Sequence, residues 1–155
     1  MEELPHSARH WVLMQSSVTE AIAAHFGAPP AVRVHHSGPS ALATWEADLL
    51  GCDASTQAFA RHITLDVGEH AVLAARTVTA WDDPMQTYLA DLGDRPLGTL
   101  LFQGERWARA SALIPLVEGT ATFGRGARWH DAQSGGNLLV EEFFLTPLTD
   151  SSNGD

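Results

Sequence analysis

Apolar and polar positions alternate most regularly between residues 59 and 81. Phe59, Arg61, Ile63, Leu65 and Val67 interleave with Ala60, His62, Thr64 and Asp66, which is the two-residue period of a strand. Gly68-Glu69 supplies a two-residue turn, and residues 71–81 return as a second strand, so the pattern predicts a hairpin. Upstream, Ser17-Val18-Thr19-Glu20 has the form of a capping box and predicts a helix running to Phe26, stopped by Gly27 and barred from continuing by Pro29-Pro30. Residues 31–37 read as a strand, and residues 43–50 as a strand or equally as a helix. Asp83-Pro84-Met85-Gln86 opens a further helix with Asp as cap and Pro in its first turn, and Gly93 closes it after Leu92. A short helical piece is expected over residues 96–102. Strands are expected over 108–117, 120–129 and 137–146, the last two joined across Ser134-Gly135-Gly136.

Strands outnumber helices, and tight turns rather than helical crossovers join them. This points to an α+β fold: one largely antiparallel sheet with a few helices packed on one face. One domain over residues 1–148 is expected, followed by a polar, turn-rich tail at 149–155 that reads as disordered.

Two positions break the binary pattern. Alternation sets Arg76 on the side of Val72, Ala74 and Val78, so a guanidinium stands on an otherwise apolar face. Either an anionic ligand meets it there, or an internal ion pair does. The second break is Glu141-Glu142 within Leu138-Leu139-Val140-Glu141-Glu142-Phe143-Phe144-Leu145. The two carboxylates point to opposite faces, both otherwise apolar, and periodicity leaves open which one faces a cleft. A carboxylate in such a place suits a general acid or base; at the rim of a covered face it is only solvated.

Composition narrows the function classes. With 9 Lys+Arg against 19 Asp+Glu the chain carries a formal charge of -10, which repels phosphate backbones, so nucleic acid is excluded as a partner. No stretch approaches the roughly 18 to 20 apolar residues of a membrane span. The start has no basic region followed by an apolar one, so no membrane partner and a cytoplasmic setting are expected. The single cysteine, Cys52, makes no internal disulfide and reads as a small core residue. The eight histidines contain no HExxH run and no cysteine companion, so no metal is expected. His6 and His10 do stand four apart, but in a terminal segment with little apolar periodicity.

Four stretches in order resemble the chorismate lyase family, also called chorismate pyruvate-lyases. They are Trp11-Val12-Leu13-Met14-Gln15-Ser16-Ser17-Val18-Thr19, Leu73-Ala74-Ala75-Arg76-Thr77-Val78, Leu92-Gly93-Asp94-Arg95-Pro96-Leu97-Gly98-Thr99-Leu100-Leu101-Phe102, and the run from Asn137 to Leu145. The resemblance covers nearly the whole chain. It implies a cofactor-independent lyase that releases pyruvate from chorismate to give 4-hydroxybenzoate, acting as a monomer on a small cyclohexadiene or aromatic carboxylate. In that reading Arg76 binds the ring carboxylate, the amides of Leu97 and Val18 complete the carboxylate site, and Glu142 rather than Glu141 stands by the ring hydroxyl. Loss of Arg76 would then weaken carboxylate binding, and loss of Arg61 would change little. Val18 replaces a methionine common in the family and Ser16 an acidic residue, which alters the pocket wall and leaves open a lyase relative acting on another cyclohexadiene or aromatic acid. Gly124-Arg125-Gly126-Ala127-Arg128 resembles a more basic family stretch, from which no site residue is carried over. The fold resemblance extends to effector domains of bacterial transcription regulators, which sense a buried ligand without converting it. Those follow a DNA-binding domain, and nothing before Trp11 is long enough to be one.

Overall fold

The structure, a computed structural model, describes residues 6–14, 17–95, 97, 101, 105–118, 122–145 and 147. Helix α1 (His6–Val12) buries Trp11 and Val12. Helix α2 (Val18–Phe26) starts where the Ser17 hydroxyl accepts from the Glu20 N–H at 3.3 Å, and it ends on Gly27 in the left-handed region at φ 77°. The cap and the stop are those expected from the sequence. Strand β1 (Ala31–Ser40) follows.

Residues 43–50 resolve to the helical alternative, α3 (Thr44–Leu50). The Ala43 N–H donates to Glu46 Oε1 at 2.9 Å, which satisfies an amide a strand would have paired, and Gly51 takes the left-handed stop. Strands β2 (Ala58–Val67) and β3 (His70–Ala80) form the expected hairpin around Gly68, whose φ is 63°. Helix α4 (Met85–Asp91) begins where the Asp83 carboxylate accepts the Met85 N–H at 2.8 Å.

The strand expected over 108–117 is two, β4 (Trp107–Arg109) and β5 (Ile114–Glu118). Between them the Ser111 hydroxyl accepts the Arg128 N–H at 2.9 Å, so a side chain takes over a main-chain ladder position and the strand breaks. Strands β6 (Thr122–Asp131) and β7 (Asn137–Phe144) complete the sheet. Of the helical piece expected at 96–102, the Leu101 N–H bonds the Leu97 carbonyl at 3.1 Å, and the remainder lies outside the described residues, as does the tail at 149–155.

The strands run in the order β1-β2-β3-β7-β6-β4, with β5 also on β6, and every neighbouring pair is antiparallel. Helices cover both faces rather than the single face expected. On one, α1 and α2 pack Trp11, Val12, Val18 and Ile22 against Ile63, Leu65, Leu73 and Phe144, while α4 packs Met85 and Leu89 against Phe59, Trp129, Leu138 and Val140. On the other, α3 sets Ala47 over Ala58, Ala60, Val78 and Leu139, where small residues let a helix approach. A bulge opposite Leu65/Asp66 leaves Val72 as the extra residue. It drops into the Trp11 cluster instead of sharing the face of Arg76.

Candidate functional site

Sheet register decides which of the polar exceptions meet. Arg76 pairs across the sheet with His62 on β2 and with Glu141 on β7, all pointing to the α3 face. Its Nε–H donates to Glu46 Oε2 at 2.7 Å and one Nη2–H to Glu46 Oε1 at 3.1 Å, a bidentate pair. The other Nη2–H goes to the Ala41 carbonyl at 2.9 Å, and Nη1 donates to the Ser40 hydroxyl at 3.1 Å and to His62 Nε2 at 2.8 Å. A guanidinium has five N–H donors and no acceptor, so its fork is filled and His62 accepts at Nε2. Glu141 adds a second carboxylate at 3.7 Å.

Burial alone raises the Glu46 carboxyl, but the bonds with Arg76, with Glu141 and from the Ala43 amide outweigh it and hold the pKa down to about 2. Burial, with the Arg76 charge second, lowers His62. Because Glu46 is depressed below its ordinary 4.5, its contribution to stability is complete above that value and is lost as pH falls through about 2. The loss is on the order of 3 kcal/mol at most. Urea unfolding of wild type between pH 5 and 2.5 is expected to show this decline, and Glu46→Gln, less stable at pH 7, a flatter profile; parallel profiles would contradict it.

Glu142 projects to the opposite face. There its cross-strand partner is Arg125 on β6, whose Nε–H donates to Glu142 Oε1 at 2.8 Å and whose Nη1 bonds the Met14 carbonyl ahead of α2. Arg125 sits between two glycines, and a side chain on Gly124 would collide with the Glu142 carbonyl and the Phe143 ring, so glycine lets β6 and β7 approach here. On the same face β2 places Arg61, only 1% exposed, between Phe59 and Ile63. Arg61 donates from Nε and Nη2 to the Gly93 carbonyl at 3.3 and 3.0 Å and from Nη2 to the Arg95 carbonyl at 2.7 Å. No carboxylate of the described residues forms an ion pair with it. Burial pushes its pKa down, opposed by the charge of the nearby Asp94.

Two voids of about 20 Å³ each, room for about one water, lie between this face and its cover. Val140 and Glu142 line both. The first is also lined by Val18, Leu101, Arg109 and Arg125, the second by Thr19, Arg61, Thr77 and Leu97. Arg61 pairs with Thr77, and Glu142 pairs with Ala75 one row along, so Arg61 and Glu142 stand two strands and two residues apart, about 12 Å between backbones.

Of the residues singled out in the sequence, Glu142, Val18 and Leu97 are therefore brought together. Arg76 is not: it lies across the sheet, and the expectation that it shares a cleft with Glu142 is corrected by the register. Arg61, Arg109 and Arg125 take its place. Arg61 has the same sequence pattern as Arg76, a guanidinium at an apolar position of an alternating strand, flanked by more bulky apolar residues. Arg125, between Phe123 and Ala127, shows it as well. Ser16 lies outside the described residues. Among the described residues three arginines and one glutamate line the two voids, a net positive lining in a chain of net charge -10. Among the described residues no group of three or more His, Cys, Asp or Glu is placed to hold a metal ion. Nor is any helix among them long and apolar enough to cross a membrane.

A family model described as chorismate lyase matches residues 1–152. A probable chorismate pyruvate-lyase of Methylococcus capsulatus is 33% identical over 153 residues, covering 87% of this chain and 92% of the relative. One of Chromohalobacter salexigens is 28% identical over 148 residues, covering 89% and 80%. Among solved structures, PhnF from Mycobacterium smegmatis superposes with a TM-score of 0.58 at 13% identity, covering 87% of this chain and 66% of that one. The effector domain of the same protein gives 0.56 at 14% identity, covering 87% and 91%. These likenesses show a shared fold.

Proposed function

The chain belongs to the chorismate lyase family, and from that premise we propose that it eliminates pyruvate from chorismate to give 4-hydroxybenzoate, in the pocket bounded by Arg61, Arg125 and Glu142. The observation that carries the reading is Arg61. A guanidinium 1% exposed, held by two carbonyls and by no carboxylate of the described residues, needs an anion to compensate its charge. The carboxylate of a cyclohexadiene or aromatic acid supplies it bidentately.

Val18 and Thr19 support the same end. They open α2, so their N–H groups have no acceptor within the helix, and their side chains line the voids. The Leu97 side chain closes the Arg61 void. Arg61 with these amides fixes the ring carboxylate, and Glu142, oriented by Arg125, handles the proton of the hydroxyl-bearing ring carbon. As that C–H bond is lost the ring–oxygen ether bond breaks. Its electrons leave with the enolpyruvyl group, which takes up a proton to become pyruvate. The ring becomes aromatic, which drives the reaction, and nothing is oxidised or reduced overall. Orientation, a proton acceptor and exclusion of water are what the protein must add, and a pocket closed this tightly provides the last. An aromatic product held by the same groups leaves slowly, so release rather than chemistry limits turnover.

The test is to incubate the purified protein with chorismate and follow pyruvate with a coupled dehydrogenase and 4-hydroxybenzoate by chromatography; both are expected in equal amounts. Tight binding of aromatic acids with no pyruvate released would instead make the chain a ligand-binding module. Because the chemistry asks for no Lewis acid, turnover is expected to be unchanged after exhaustive EDTA treatment. Loss of activity restored by a single metal would contradict this.

A further inference from the structure

The α3 face holds at its centre a histidine that the pocket does not use. Four strands set His36, His62, Arg76 and Glu141 in one row across the sheet, and Glu46 of α3 lies over that row. Arg76 fastens the row to its cover, because the one guanidinium bonds Ser40 at the end of β1, the Ala41 carbonyl beyond it and Glu46 on α3. Its fifth donor is satisfied only by His62, with Nη1 at 2.8 Å from Nε2. An arginine has nothing but donors, so Nε2 is the bare nitrogen and the neutral ring carries its proton on Nδ1. The ring is half-buried and borders a groove of about 340 Å³ shared with His35, Thr64 and Phe143, so a proton reaches it without unfolding.

We infer that His62 is a proton-sensitive latch: neutral, it completes the Arg76 fork that fastens α3 and the end of β1 to the sheet, and protonated, it releases that seam. A second ring proton places an N–H on Nε2 against the Arg76 N–H, where neither group can accept, and sets one cation against another. The surrounding charges do not offset this. His36 lies 5.4 Å away between ring centres and His35 stands beside it on β1, both adding to the repulsion when charged, and Glu46, the carboxylate that favours the imidazolium, is already held bidentately by Arg76. Burial first, then the Arg76 and His36 charges, lower His62 from its ordinary 6.5. Its contribution to stability is therefore complete above that value and is lost as pH falls through the lower folded one. His36 cannot play the same part, because its Nε2 meets the Pro39 carbonyl at 3.2 Å and so donates whether or not the ring is charged. The latch stands across the sheet from Glu142 and does not depend on the lyase reading.

The experiment is amide hydrogen exchange by NMR on wild type, His62→Gln and His36→Gln, expressed as protection factors, which remove the intrinsic pH dependence of exchange. Glutamine offers Arg76 an oxygen but takes up no proton. The reporters are the Ala47 and Cys52 amides of the α3 seam, bonded to the Ala43 and Ala47 carbonyls, with the Asp131 amide at the far end of β6 as reference. From about pH 7.5 to about pH 5, wild-type protection at Ala47 and Cys52 is expected to fall roughly tenfold or more relative to Asp131, the scale of one lost bond to a charged group. His36→Gln is expected to follow wild type, and His62→Gln to keep its protection. Nitrogen chemical shifts of the His62 ring in wild type test the same point without a variant, and a bare Nε2 is expected at about pH 7.5. A protonated Nε2 there, an equal fall in wild type and His62→Gln, or a fall abolished in His36→Gln would overturn the latch, whatever the chorismate assay shows.

Discussion

Glu142→Gln is expected to cut pyruvate release from chorismate by roughly 10² or more, the scale of one positioned acid or base, while aromatic carboxylates still bind. Glutamine keeps the size of the side chain and an oxygen that can accept the Arg125 N–H, but it has no titrating proton to exchange with the ring carbon. Loss of turnover with binding kept is the mark of a group acting on the reacting atoms. Glu141 provides the internal control. One residue away on the same strand, it pairs across the sheet with Arg76 on the α3 face. Glu141→Gln is expected to turn over at a rate near wild type. Single-turnover rates with chorismate decide it. A normal rate in Glu142→Gln and a collapsed one in Glu141→Gln would move the chemistry to the other face of the sheet.

Arg61→Ala is expected to weaken binding of 4-hydroxybenzoate by about 2 to 5 kcal/mol, the scale of truncating one partner of a buried charge pair. Arg76→Ala is expected to leave that affinity within about twofold, because its five donors are already taken by Glu46, Ser40, His62 and Ala41. Its cost falls on stability instead, since Glu46, 3% exposed, loses its cation. Arg61→Ala also leaves the Gly93 and Arg95 carbonyls without their donor, so Arg61→Lys, which keeps a charge but not the planar fork, separates folding from binding. Titration calorimetry with thermal melts of the three variants is the measurement. Undiminished binding in Arg61→Ala, with binding lost in Arg76→Ala, would return the site to Arg76.

Much of the local structure was legible in the chain. Ser17 and Gly27 bounded α2, the period-2 run around Gly68 placed the central hairpin, and Asp83 and Gly93 bracketed α4. Local backbone chemistry sets these features, and a few neighbouring residues carry it. The glycine-flanked Arg125 and the apolar neighbours of Arg61 were equally plain, but the pattern of a single strand treats Arg61 and Arg76 alike.

The choice between them belonged to the tertiary structure. Helices pack on both faces of this sheet, so each strand is apolar on two sides and alternation only sorts residues into two sets without saying which set faces the pocket. Register between β3 and β7 put Arg76 opposite Glu141 and Ala75 opposite Glu142, and a shift of one residue would have exchanged the two glutamates. Helix α3, read in the sequence as either strand or helix, then brought Glu46 across 30 residues of chain to fill the Arg76 fork, while Arg61 met two carbonyls and, among the described residues, no paired carboxylate. An arginine binds a ligand where the fold leaves its charge uncompensated, and that depends on which distant carboxylate arrives, a fact no local stretch of sequence contains.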